Sequence, residues 1–184
     1  MEKIGRRGFV GSMLASSAVL LAPRSATAAD AKIEVLINEP IGTISPEIYG
    51  HFIEHLGGVI YDGVWVGEQS KIPNVGGIRS ALIEQMRKIK PGVLRWPGGC
   101  FADSYDWHDG IGPRSERPRR TDFWINDALK DADKPQVYDP NHFGTNEFAR
   151  FCKLIGTQPY LAANLRSLPA KSFYEWVEYC NAPA

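Results

Sequence analysis

Two hydrophobic periods take turns along this chain, one of two residues and one of three to four. Lys32-Ile33-Glu34-Val35-Leu36-Ile37 carries β-branched residues at strand spacing, and Pro40, Gly42 and Pro46 then punctuate a turn. Ile48 to Phe52 is a second short strand candidate, followed by a Gly- and aromatic-rich loop from Ile60 to Pro73. From Ile78 to Lys90 the period changes: Ile78, Leu82, Met86 and Ile89 recur with charges between them, predicting a helix that Pro91-Gly92 stops. Val93 to Trp96 is a buried strand ended by Pro97-Gly98-Gly99, and a long loop runs from there to about Asn141. A loop of that length in a compact domain is usually functional. Thr145 caps the next helix, with Phe148, Phe151, Cys152 and Ile155 on one side and Gly156 as its stop. Pro159 to Asn164 is a strand, and Ser167 and Pro169 open a last helix carrying Phe173, Trp176, Val177 and Cys180.

The alternation of strand and helix predicts an α/β fold of parallel strands with crossover helices, in about three βα units. A small open sheet and the first part of a (β/α)8 barrel both fit. Three units leave a long hydrophobic strand edge unpaired, and the alternation runs to Ala182-Pro183-Ala184 without a terminating feature. The expectation is therefore the N-terminal portion of a barrel over residues 44–184, with residues 29–43 as an N-terminal strand and linker.

Residues 1–28 read as an address and not as fold. Arg6-Arg7-Gly8-Phe9 precedes an apolar run from Met13 to Ala22 and then Ala26-Thr27-Ala28, the order of an export signal of twin-arginine type. The competing reading is a membrane anchor, but Leu14 to Ala22 is far shorter than the ~20 apolar residues a span requires. The expected product is exported, periplasmic or secreted, and free of the membrane once cleaved after Ala28.

Composition narrows the partners. The 21 basic and 21 acidic residues cancel to a formal net charge of zero, which gives no electrostatic reason to expect nucleic acid. The one basic run, Arg114 to Arg120, is broken by Glu116 and Pro118 and reads as a solvated loop. Cys100, Cys152 and Cys180 are odd in number and have no motif spacing, so no disulfide framework is expected. Cys152 and Cys180 fall on predicted apolar helix faces, where a thiol is a small hydrophobe. There is no CxxC or HExxH, so neither metal nor other cofactor is expected.

Active-site groups of a parallel barrel sit where strands end and βα loops begin. That rule selects Glu54 and His55, Arg95 through Cys100, and Asn164 to Arg166.

The motifs at these places are specific. Ile48-Tyr49-Gly50-His51-Phe52-Ile53-Glu54-His55-Leu56-Gly57 resembles the opening strand and loop of the family 51 α-L-arabinofuranosidases. So do Ile60 to Gly67, Leu94-Arg95-Trp96-Pro97-Gly98-Gly99-Cys100-Phe101-Ala102-Asp103 and Tyr105 to Arg114. His142 to Phe148 and Trp176 to Cys180 continue the resemblance, which runs from about Ile44 to the last residue.

It implies a retaining glycosidase that removes terminal α-L-arabinofuranosyl groups from arabinoxylan, arabinan or arabino-oligosaccharides through two closely spaced glutamates. The family places those glutamates at the ends of the fourth and seventh strands, outside this chain, so no catalytic residue is assigned here. It also implies that the full-length enzyme is a homo-oligomer, and that Lys32 to Ile37 joins a C-terminal β-sandwich absent from this chain.

The resemblance gives Glu54 the task of holding arabinose hydroxyls and gives Cys100 a sugar contact, not a nucleophile's role. Arg95 is a substrate-site candidate or a partner in a structural ion pair. Trp107 and Trp124 either stack on a sugar or close the loop core. Asn146-Glu147 mimics the Asn-Glu pair before the family's acid/base, but a Glu at a helix start favours the dipole, so Glu147 reads as a capping residue. Leu165 to Leu168 and Asp127 to Tyr138 depart from the family pattern at the mouth. The alternative to an enzyme is a non-catalytic carbohydrate-binding protein with the same partial barrel.

Overall fold

The computed structural model describes residues 32–121 and 137–183. Residues 1–28, read above as an export signal, together with Trp124 and most of the polar stretch between Asp127 and Tyr138, lie outside the described residues.

The chain divides into two units, Met1–Gly42 and Thr43–Ala184. In the first, Lys32 to Ile37 is not a strand. Its backbone turns instead, Ile37 N–H donating to Val35 O and Glu39 N–H to Leu36 O, with Ile33 and Val35 exposed. The β-branched pattern supplies propensity only; a strand also needs a ladder partner, and the described residues offer this segment none.

The second unit is built on a parallel three-stranded sheet in the order β1 (His51–Phe52), β4 (Val93–Trp96), β7 (Gln158–Leu161). Strands adjacent in the sheet follow one another in the chain, joined by helices α2 (Ser80–Ile89) and α3 (Thr145–Ile155), and α4 (Ala170–Asn181) follows β7. A doubly wound sheet would reverse this order part-way; this one winds in a single direction.

Local chemistry moves several boundaries. Ile78 belongs to a hairpin, not to the helix. β2 (Asn74–Val75) pairs antiparallel with β3 (Ile78–Arg79) around Gly76 and Gly77, at φ +57° and +90°. Two residues at positive φ make the turn whose twist matches a hairpin. The Trp65 ring lies against Gly77 where a Cβ would be, which leaves room for glycine alone. Helix α2 therefore starts at Ser80 and buries Ile83 and Met86, while Ile89 stays exposed. Lys90 ends it in the left-handed region at φ 55°, its N–H bonded to Met86 O. A short helix, α1 (Gly57–Ile60), precedes this hairpin.

The long connection after β4 is structured. Three 3-10 turns, Cys100–Asp103, Trp107–Gly110 and Arg114–Glu116, lead into β5 (Arg120–Thr121), which pairs antiparallel with β6 (Tyr138–Asp139). Gly144, and not Thr145, caps α3, and Glu147 accepts the Gly144 N–H at 2.9 Å. Thr145 instead accepts the indole N–H of Trp176 at 3.0 Å, which ties α3 to α4.

The core lies between the sheet and its helices. Leu94 and Trp96 point to one side of β4 and are fully buried, as are Phe143 and Phe148. Trp96 stacks on Phe148 at 5.2 Å and meets Phe143 and Trp176 edge-on. Burial of each such ring contributes roughly 1.5–3 kcal/mol, and Trp96, Phe143 and Phe148 all come from the middle βα unit. On α4, Trp176 is buried, whereas Phe173, Val177 and Cys180 of the expected apolar face are exposed.

Candidate functional site

β1 and β4 end side by side, in register through Phe52 and Arg95. Past β1 the chain keeps that pairing, because Ile53 N–H donates to Arg95 O and His55 N–H to Pro97 O. Glu54 is thereby laid over the Pro97-Gly98-Gly99 turn. Its Oε1 accepts the N–H of Phe101 at 2.9 Å, and its second oxygen has no hydrogen bond among the described residues. Gly98, at φ +148°, lies so close that a Cβ there would stand 2.5 Å from Glu54 Cγ. Gly98 is the permissive residue that lets the two loops touch. Cys100 precedes Phe101 and is exposed at the same corner.

Arg95 sits one residue inside the strand end, in a row across the sheet with Phe52 and Tyr160. Its guanidinium lies 4.8 Å from the Phe52 ring centre and 5.9 Å from that of Tyr160, and Nη2 donates to Gly98 O. No ion pair forms at Arg95 among the described residues, and its buried Nε has no hydrogen-bond partner there. The structural ion pair expected as one option is replaced by cation–π packing.

Trp107 is not at this corner. It is 5% exposed, donates from Nε1 to Ser172 O at 3.0 Å, and stacks between His108 and Trp176. Neither ring face is free to receive a sugar, so of the two options the loop-core role is the one the packing allows. Asn164 is likewise committed locally, accepting the N–H groups of Arg166 and Ser167 and donating to Tyr105 O. It shapes the turn from which Leu165 projects.

The basic run Arg114 to Arg120 is not a solvated loop. Arg117 is buried and pairs with Glu147 at 3.1 Å. Arg114 bridges Glu147 and Glu68 while lying over the Trp65 ring, and Arg120 forks onto Asp109. Glu147 thus caps α3 and also receives two guanidinium groups, which fix the long loop to the helix.

A buried network that spacing alone does not reveal lies directly behind Glu54. His55 has no exposed surface; its Nε2 is 2.7 Å from Asp139 Oδ2, and its Nδ1 is 3.2 Å from Trp96 Nε1. Tyr61 OH donates to Asp139 Oδ1 at 2.5 Å, and Asn141 N–H reaches the same oxygen at 2.7 Å. Burial alone would raise the pKa of Asp139, but the hydrogen bonds it accepts from His55, Tyr61 and Asn141 outweigh it and hold the carboxyl below its usual range. Burial, then the Asp139 charge, pushes the Tyr61 phenol far above its ordinary value. Both His55 nitrogens are occupied, so this ring is not a base for Cys100. Among the described residues no cluster of His, Cys, Asp and Glu is arranged to hold a metal.

Comparison with known proteins identifies the family. The family model for the α-L-arabinofuranosidase 1 domain matches residues 85–184. An intracellular exo-α-L-arabinofuranosidase of Bacteroides ovatus is 42% identical over 168 residues, which cover 91% of this chain and 30% of that protein. The GH51 arabinofuranosidase of Xanthomonas axonopodis pv. citri superposes with a TM-score of 0.70 at 40% identity, over 80% of this chain and 28% of that one. An α-L-arabinofuranosidase of Thermotoga maritima, in an arabinose complex, gives 0.63 at 41% identity, over 72% and 25% of the two chains. The chain therefore spans less than a third of the length of these relatives. With its strand-end carboxylate, its glycine turn and its singly wound sheet, this chain belongs to the α-L-arabinofuranosidases of glycoside hydrolase family 51.

Proposed function

We propose that these residues form the first three βα units of a (β/α)8 barrel in a retaining α-L-arabinofuranosidase, and supply the side of its pocket that grips the sugar. The observation that carries this reading is Glu54. One of its oxygens is held by the Phe101 amide and the other is uncommitted, at the strand end where a barrel places its active site. A carboxylate so placed accepts hydrogen bonds from sugar hydroxyls, and Cys100 stands beside it as a smaller contact. The acid/base and nucleophile glutamates come, in this reading, from the fourth and seventh strands of the full-length protein, so residues 1–184 alone are inactive. The substrate is a terminal arabinofuranosyl group of arabinoxylan, arabinan or their oligosaccharides.

The barrel reading also explains an apolar cavity of about 620 Å³ lined by Phe148, Pro159, Leu161, Phe173 and Val177. It is the seat a fourth βα unit would take beside the edge strand β7. The paired-arginine leader is, in the same proposal, an export signal removed after Ala28; N-terminal sequencing of protein from the periplasm or medium tests it.

The decisive experiment follows hydrolysis of 4-nitrophenyl α-L-arabinofuranoside by the full-length protein, using NMR to read the first-formed anomer. Release of arabinose with retained configuration is expected. Sugar binding without any hydrolysis would return the protein to the carbohydrate-binding class.

A further inference from the structure

The residue after Glu54 is more tightly held than anything else at the corner. An indole N–H only donates, so His55 Nδ1, facing Trp96 Nε1, is assigned as the lone-pair nitrogen. Nε2 then carries the proton and donates a hydrogen bond to Asp139 Oδ2. One tautomer satisfies both neighbours. Asp139 is saturated in turn by Tyr61 and by the Asn141 amide. The ring lies nearly parallel to Phe101 at 5.0 Å and to Tyr105 at 5.7 Å, which blocks rotation.

This network touches Glu54 at two points. The first is the peptide bond between Glu54 and His55. The second is Phe101, whose ring stacks on His55 while its N–H holds Glu54 Oε1. We propose that the His55–Asp139 pair is the positioning device of Glu54, setting the direction of its uncommitted oxygen toward the sugar from behind the pocket wall. This rests on the reading of Glu54 as a sugar ligand. Both residues are positioning residues, since neither reaches the substrate.

Asp139→Asn is the discriminating change because it keeps shape but not polarity. The Asn oxygen can serve Tyr61 and Asn141 only by turning its NH₂ onto the His55 N–H. If His55 changes tautomer to avoid that contact, its new N–H faces the Trp96 N–H. One donor–donor contact survives either way, and it must be relieved by moving the segment that carries Glu54.

The test is a double-mutant cycle in the full-length enzyme with Glu54→Gln and Asp139→Asn, reading kcat and KM separately on the nitrophenyl substrate and the affinity for free L-arabinose. Asp139→Asn is expected to lower kcat/KM about tenfold when Glu54 is present and to have little effect once Glu54 is Gln. Equal losses in both backgrounds would overturn the proposal, leaving the pair as fold support, while Glu54 keeps its role. Wild-type kinetics for Glu54→Gln alone would sink the sugar-ligand reading, and this inference with it. Should Asp139→Asn not fold, Tyr61→Phe removes one donor to Asp139 and keeps the carboxylate itself; the same cycle on that variant decides.

Discussion

The amide of Phe101 donates to Oε1 of Glu54 at 2.9 Å, joining the loops after the first two strands of the parallel sheet across 47 residues. That bond orients the carboxylate and commits only half of it. A glutamine at position 54 can still accept it through its amide oxygen, so Glu54→Gln in the full-length enzyme is expected to fold normally. Its kcat/KM on aryl arabinofuranosides should fall about 30-fold, on the order of 2 kcal/mol for one charged contact. Steady-state kinetics beside a melting curve checks both halves, and unchanged kinetics would make Glu54 an ordinary loop carboxylate.

Cys100 is exposed at the same corner, and the histidine near it in space has no free nitrogen. With no activating base beside it, the thiol fits the proposed contact role and not that of a nucleophile. Cys100→Ser is therefore expected to retain substantial turnover with at most a modest rise in KM. Loss of activity by orders of magnitude in a folded Cys100→Ser enzyme would overturn the assignment.

Trp107 separates a structural tryptophan from a sugar platform. Trp107→Phe removes the buried indole N–H donated to Ser172 O and Oγ and leaves a gap where the larger ring packed. The expected cost is about 1–3 kcal/mol of stability with KM unchanged. Thermal melting and kinetics on one preparation suffice; a raised KM at unaltered melting temperature would restore the stacking role.

The arginines on Glu147 should differ in weight. The Arg117 side chain is 3% exposed and that of Arg114 is 32%. Removing Arg117 leaves a buried carboxylate short of its partner, which costs about 3–5 kcal/mol. Arg114→Met leaves a contact that solvent already screens, and should cost under about 1 kcal/mol. Denaturant titration of Arg117→Met and Arg114→Met tests the ranking, and equal losses would contradict it.

Asp139 gives a pH signature. Its folded-state pKa is lowered from the ordinary 3.8, so it binds a proton less readily in the native state than in the unfolded chain. Its contribution to stability is full above the unfolded carboxylate range and is lost as pH falls through the depressed native value. The gap in melting temperature between wild type and Asp139→Asn should thus be widest near neutrality and shrink below about pH 4. A gap that widens on acidification would reverse the sign of the linkage.

Much of this architecture was legible in the residues because its determinants are local. Helical spacing marked Phe148, Phe151, Cys152 and Ile155 for burial, and all four are buried; Gly156 stops their helix at φ +76°. Pro97-Gly98-Gly99 announced a turn at a strand end, and the order of motifs along the chain pointed to the family. The misplacements share another cause. Ile78 carries helical spacing yet pairs in a hairpin, because Trp65 and two glycines compete for it. Arg117 reads as a solvated charge until Glu147 comes to meet it.

By itself, then, the sequence determined the alternation of β and α, the strand-end carboxylate Glu54 and the glycine turn beneath it. Each follows from propensity, periodicity or motif within a short window. Tertiary structure alone decided that Trp107 faces the core, that Arg95 packs between rings, and that Asp139 comes to stand behind Glu54. Those outcomes depend on which side chains meet across long loops. There the cost of burying an unpaired polar group selects the partner, and no local pattern records that choice.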